Sequence, residues 1–548
     1  MGTSQHRRAL VRATLVLAFF SPSCGEREEE RSIESPPVEA QPASLEAVDA
    51  GADASHDAGP PRPPARLFAK RFVTKIRERP DRDSFRVGYL RAGAVVMATT
   101  ADPVRTDDPR CPGGWYELTT GGFVCNGRDV IAFHGRRLPQ ARGAQPDRAA
   151  PMPYAYGRNR RDSTPMYRRL PTDEEAAEFE GFRIPGQEPA EGAEAPAEGG
   201  GATTGEGGTA APEAGPPPSP ASAPSPARTR TASPAADAEG EPVEEGDVPV
   251  TLASLQGDPN SALMRRLVRG FIVSLDRDFR AGRYGRRYWR TINNGFVPYG
   301  ALAPVSSPDF QGVRLDDVTR LPIGYILGRN EVFFTRTPDG RARRGRPLDF
   351  HHRLTIVGEE EIGGTRYYVG ADGRLYREGS VRRIVPRERP AGVGANDKWI
   401  EVNLSGQYLI AYEGDRPVYA TLISSGRAYH PGDPEANYLT PTGLFRIRAK
   451  HLAATMDGDT AADGPYSIDD VPWVMYFQLA YALHGAFWHN AFGYPRSHGC
   501  VNLAPRDAQW VFNWSDPQLP DGWHGVYPTE SEPGTWIYIH GETPGARR

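Results

Sequence analysis

Between Ile184 and Val243 the chain carries no aliphatic residue larger than alanine and no aromatic one. It runs through Gly, Ala, Glu and the stretch Pro216-Pro217-Pro218-Ser219-Pro220 instead. Such a tract cannot bury enough apolar surface to offset the entropy of ordering it, so 182–247 is read as an insertion or linker. Residues 25–64, rich in Pro, Ala, Glu and Ser, are read in the same way as a flexible tether. Whatever folds in these 548 residues must be assembled from what remains, which predicts several small domains rather than one large core.

The first 24 residues have another purpose. His6, Arg7, Arg8 and Arg12 precede the apolar run Leu15–Phe20, and Ser21-Pro22-Ser23-Cys24 follows it. The run is too short for a resident transmembrane helix and suits an export signal. Cys24, ahead of Gly25 and an acidic tract, resembles the lipidated cysteine of a bacterial lipoprotein, which implies a chain outside the cytoplasm anchored to a membrane by lipid. A net charge of −4 gives no general basis for binding nucleic acid. Basic clusters such as Arg158–Arg161 and Arg341–Arg344 are read mainly as solvated faces, with attraction to an anionic wall polymer as the alternative.

Three further cysteines remain. Cys111 and Cys125 flank the strand-like Gly114–Thr119, a spacing that a hairpin can close with a disulfide in an exported chain. Cys500 is left over.

Upstream of Asn396 a weak repeat recurs: two aromatic strand residues, a polar turn, then another apolar strand. It is seen at Trp115–Val124, Tyr288–Val297 and Tyr367–Tyr376, where Asn294-Gly295 and Asp372-Gly373 are hairpin dipeptides. Tyr154–Asn159 echoes Gly324–Asn330. The expectation is three small β modules at 65–135, 150–305 (interrupted by 182–247) and 320–388. They resemble bacterial SH3-type barrels, and the aromatics are read chiefly as cross-strand core pairs, with wall glycan or peptide contact as the alternative. From Asn396 onward, short strands at Trp399–Leu404, Gln407–Tyr412, Pro417–Ile423 and Leu444–Ile447 predict a mostly β sandwich with a short helix near Asp507–Phe512. Segment 451–475, with Asp457-Gly458-Asp459, Asp463-Gly464-Pro465 and Asp469-Asp470, is read as a loop over a cleft.

That last domain, 396–541, holds the residues with chemistry. A nucleophilic thiol needs a neighbouring base or an electropositive setting, because an ordinary one is mostly protonated at neutral pH. His484-Gly485 and Ser497-His498-Gly499-Cys500-Val501-Asn502 supply candidate bases, a tight turn at Gly499 and amides for an oxyanion. Together they resemble the L,D-transpeptidase (YkuD-type) motif, and Thr440-Pro441-Thr442-Gly443 resembles that family's Thr-Pro-x-Gly turn. The resemblance implies that Cys500 attacks a peptidoglycan stem peptide between its third residue and D-alanine, with an amine acceptor completing a 3–3 cross-link. It implies His484 as general base and His498 as an ordering residue, with the choice between them left open. Gly499 and Cys500 would offer oxyanion amides, Ser497, Asn502 and Gly485 would shape the loop and substrate contacts, and Trp488 and Tyr476 would line the channel.

His489 is expected to be incidental. A zinc site of His484, His489, His498 and Cys500 has suitable ligand types but would compete with a free nucleophile, so no metal or other cofactor is expected. Water as acceptor would make the enzyme an L,D-carboxypeptidase, a free D-amino acid would give exchange, a protein lysine would give attachment to the wall, and an inactive fold would leave a wall-binding scaffold.

Overall fold

The structure, a computed structural model, describes residues 62–133, 143–183, 250–428, 438–460 and 464–545. The expected signal with Cys24, nearly all of the 25–64 tether and nearly all of the 182–247 tract lie outside the described residues. The described chain is mostly β, with two α-helices. Among the described residues no helix is long and apolar enough to cross a membrane.

Three small β units precede the last domain. In the first, Arg66–Ala69 lies between Val95–Met97 and Val130–Phe133, while Arg86–Leu90, Thr74–Arg77, Phe123–Cys125 and Trp115–Glu117 pair in that order. Cys111 and Cys125 are joined as a disulfide. In the second, strands from either side of the undescribed gap pair with each other: Thr164–Tyr167 with Leu263–Leu267, and Ala155–Asn159 with Ile272–Ala281. In the third, Ile323–Ile326 pairs on one side with Arg353–Ile362 and on the other with Val381–Ile384. The repeated aromatics go inward: Trp115, Tyr116, Tyr288, Tyr367, Tyr368 and Tyr376 are buried. The helix Asp173–Glu180 was not foreseen. Thr172 and Glu175 form a reciprocal capping box at its start, which a Thr-x-x-Glu pattern could have signalled.

The last domain packs two sheets face to face. One runs in the order Val313–Arg314, Arg416–Leu422, Tyr408–Glu413, Lys398–Asn403, Trp536–His540, Gly443–Arg446. Its first hairpin closes through Gln407, whose φ of 50° is the left-handed conformation a tight turn needs. The other face is built from Ala449–Thr460, Gly464–Gln478, Tyr481–Gly485 and Val501–Leu503. Ile400, Val402, Leu452, Met475, Leu483 and Ile537 meet between them with the helix residues Val511 and Phe512. That helix, Pro505–Trp514, begins with proline at its first turn, where no amide hydrogen is missed. Behind its end the buried Lys450 Nζ donates to the carbonyls of Phe512, Ser515 and Pro517 at 2.6–2.8 Å.

One expectation is corrected. The described residues of segment 451–475 form no loop but most of a long antiparallel hairpin, with Ala449 opposite Tyr476 and Asp459 opposite Pro465, while Asp463 lies outside the described residues. Its aspartates suggested turns because their partners lie far away in sequence. Asp470 is paired with Arg91 and Asp469 with Arg265, both from upstream units. Tertiary pairing overrides the local signal here.

Candidate active site

Two short parallel strands bring the motif together. Leu483, His484 and Gly485 lie opposite Val501, Asn502 and Leu503. Continuing that register backwards sets Cys500 beside Ala482, on the face shared with His484 and Asn502. The backbone amide of Ala482 favours the ionised thiol, and Cys500 Sγ donates to the Ala480 carbonyl at 3.7 Å.

The turn ahead of the thiol is held from three sides. Ser497 N–H donates to Ser425 O at 3.0 Å, and Ser497 Oγ accepts from Gly499 N–H at 3.1 Å while donating to Cys500 O. Thr440 Oγ1 accepts from Gly426 N–H at 2.9 Å and donates to Gly499 O at 2.8 Å. Gly499 has φ of 120°, and a Cβ there would stand 2.4 Å from Tyr481 Cε1, so only glycine fits. The Gly499 N–H, expected to serve an oxyanion, donates to Ser497 Oγ at 3.1 Å.

His484 is 2% exposed and stacks on Trp488 with centroids 5.7 Å apart. Burial pushes its pKa down to about 4. Nδ1 lies 3.4 Å from Gly485 O, an acceptor only, so the proton belongs on Nδ1 and Nε2 keeps its lone pair. Burial also pushes the Cys500 thiol up to about 11, opposed by the Ala482 amide. The resting pair is therefore a neutral thiol and a neutral imidazole.

His498 is arranged differently. Its ring stands between Tyr438 and Tyr466, at 4.7 and 5.2 Å, and Arg427 Nη2 donates to Nε2 at 3.1 Å. A guanidinium is a donor only, so this nitrogen is already occupied as an acceptor. Of the channel candidates, Tyr476 and Trp488 are half-buried and pack in the same cluster as Cys500. Tyr476 and Tyr466 both have their hydroxyls pushed up to about 12, first by burial and next by the charge Cys500 would carry. Gly485, expected at the substrate, faces the core instead: a Cβ there would meet Pro472 Cγ at 3.1 Å and Ala508 at 3.4 Å. Ser497 and Asn502 are buried and hold the loop.

Sequence reasoning missed four neighbours. Arg427, Tyr438 and Tyr466 surround His498, and nothing local marks them. His489 was set aside, yet its Nε2 lies 3.0 Å from the Asn502 carboxamide. Its Nδ1 accepts from Ala491 N–H at 3.2 Å, so the neutral ring carries its proton on Nε2 and Asn502 must turn its oxygen toward it. The histidines of the imagined zinc set are thus engaged with separate partners.

Residues 397–539 match the YkuD family, described as the L,D-transpeptidase catalytic domain. No curated protein matches the chain. Among solved structures, the catalytic domain of the Enterococcus faecium L,D-transpeptidase is 26% identical over 26% of this chain and 98% of its own length, with a TM-score of 0.20. The L,D-transpeptidase of Stackebrandtia nassauensis is 21% identical over 28% and 60%, TM-score 0.20. That of Mycobacterium smegmatis is 15% identical over 46% and 90%, TM-score 0.20. The chain covers 50, 60 and 64% of the length of the first three structures it matches.

Proposed function

We propose that the protein is an exported peptidoglycan L,D-transpeptidase in which Cys500 is the nucleophile and His484 the general base. The observation that supports this reading is the parallel pairing of Leu483-His484-Gly485 with Val501-Asn502-Leu503, whose continuation sets Cys500 on the His484 face, together with a His484 Nδ1 directed at Gly485 O that leaves Nε2 unprotonated. The thiol attacks the carbonyl of the third stem residue as its proton passes to His484 Nε2, and the Cys500 amide faces the developing oxyanion. The C–N bond to D-alanine then breaks, and the imidazolium returns the proton to the leaving amine. This leaves a thioester. The side-chain amine of a second stem peptide attacks it, giving up a proton to His484 while the thiolate leaves, so a 3–3 cross-link forms and the site is restored. His498, held by Arg427 and the two tyrosines, orders the turn. Lipid on Cys24 would anchor the chain, and the 25–64 tract would give it reach to the wall. The SH3-like reading of the upstream units supports envelope contact without adding chemistry.

The test is incubation of the mature chain with disaccharide-tetrapeptide, products read by mass spectrometry beside Cys500→Ala. A cross-linked dimer with loss of D-alanine, absent from the variant, is the expected result. Tripeptide alone would make the enzyme a carboxypeptidase, and parent and variant behaving alike would end the enzymatic reading.

A further inference from the structure

The chemistry above uses the cleft side of the hairpin Ala449–Gln478 but not the charges buried behind it. Asp469 and Asp470 lie mid-strand and are 2% and 0% exposed. Each is met by a cation from a different upstream unit. Arg91 Nη2, from the first, lies 2.6 Å from Asp470 Oδ1, and Arg265 Nη2, from the second, lies 3.7 Å from Asp469 Oδ1. The second unit adds Ser274 Oγ, donating to Asp470 Oδ2 at 2.5 Å, and Tyr156 OH, donating to Asp470 O at 2.7 Å. Backbone pairing joins the pieces as well: Ile272 pairs with Ile468, and Gly88 pairs with Val526, which in turn pairs with Lys450.

A buried ion pair is a poor way to gain stability, because desolvation offsets most of the attraction. Here it also coincides with strained backbone. Asp470 and Trp473 have φ of 50° and 58°, a region that costs a non-glycine residue energy and persists only where surroundings enforce it. The same strand carries Tyr466, stacked on His498, and Tyr476, packed with Cys500. An anchor of this type fixes geometry rather than adding net stability.

We propose that the two upstream β units clamp the catalytic hairpin, and that Arg91 is a positioning residue which, through Asp470, holds Tyr466 and Tyr476 against the thiol site. The reading of turnover rests on the transpeptidase proposal; the clamp itself does not. Without Arg91, the Asp470 carboxylate keeps one hydroxyl partner in a buried place. The strand must then shift to bring that buried charge toward water, and the shift releases the tyrosines.

The experiment compares the mature chain with Arg91→Ala and Arg91→Lys. Folding is followed by circular dichroism, D-alanine release by kcat and KM, and Cys500 by its rate of alkylation with iodoacetamide. In folded Arg91→Ala, kcat falls about tenfold, KM moves less than about threefold, alkylation speeds up about fivefold, and Arg91→Lys recovers most of both. A folded Arg91→Ala with kcat and alkylation both within about twofold of the parent overturns the clamp. Should Arg91→Ala not fold, Ser274→Ala removes a single hydrogen bond to Asp470. It is expected to lower kcat about threefold, and unchanged values in that variant overturn the proposal equally. If the parent releases no D-alanine, the transpeptidase reading fails, while the alkylation comparison still decides the clamp.

Discussion

Replacing His484 with alanine should cut turnover by orders of magnitude while leaving the reactivity of the resting thiol nearly untouched. Burial puts the Cys500 thiol at about 11, against 9.0 for an ordinary one, and the His484 imidazole at about 4. Moving the proton from sulfur to nitrogen in the resting site therefore opposes a gap of about seven pH units, or roughly 10 kcal/mol. The attraction between the new charges, about 4 kcal/mol at ~4 Å with an effective dielectric constant of ~20, does not close it. The neutral pair wins, and the proton moves only as the carbonyl is attacked. At pH 8 the thiolate fraction is about one in a thousand, roughly a hundredfold below that of an ordinary thiol. Alkylation by iodoacetamide, followed by mass spectrometry from pH 6 to 11, should climb log-linearly through pH 10. Its rate at pH 8 should be about a hundredfold below that of a free cysteine peptide. His484→Ala should trace the same curve within a few-fold while D-alanine release falls by about 10²–10⁴. A plateau below pH 8 in the parent that disappears in His484→Ala would mean a preformed thiolate–imidazolium pair and would refute this account.

Thr440→Val removes both bonds that tie Gly426 N–H and Gly499 O together, which should cost about 2–4 kcal/mol in urea unfolding and reduce kcat more than it raises KM. Gly426→Ala places a Cβ 1.8 Å from Tyr438 O and 2.8 Å from Gly499 Cα, so the nucleophile turn must shift; kcat should fall at least about tenfold with Cys500 still alkylatable. His484 and His524 are both 2% exposed and held neutral, with pKa values below those of the unfolded chain. Their contribution is complete above pH 6.5 and is lost as pH falls toward 4, where His484 alone accounts for about 3 kcal/mol. Urea midpoints at pH 7.5 and 5 check this; equal midpoints would contradict it.

The strands of the last domain were readable because they alternate around Ser405-Gly406 and Glu413-Gly414-Asp415, turn signals that need no distant partner. The same holds for the helix of Pro505–Trp514 and for the inward aromatics of the upstream units. What failed depends on chain far away. Asp469 and Asp470 look like loop residues until Arg265 and Arg91 are brought to them. Tyr466 and Arg427 join the site only because the hairpin and the Ser424–Arg427 segment fold against the nucleophile turn. The bond between His489 and Asn502 spans thirteen residues, and no spacing rule picks it out. Gly485 and Gly499 read alike in the motif, yet one relieves packing behind the strand and the other permits a left-handed turn.

The two parallel strands that carry His484 and Cys500 set unequal tolerances for change along this part of the chain. The crossover between them is held in its middle as well as at its ends: Phe492 is buried, Gly493 N–H donates to Ile423 O at 2.7 Å and Tyr494 OH donates to Leu327 O at 2.9 Å, so length changes there disturb packing without turning thiol or imidazole over. One residue inserted or deleted between Gly499 and Val501, or between Ala482 and His484, is another matter. Side chains alternate along a strand, so the shift would turn thiol or imidazole to the opposite face and toward the packed interior. The reacting pair could therefore be lost through a single-codon indel that leaves every motif residue present.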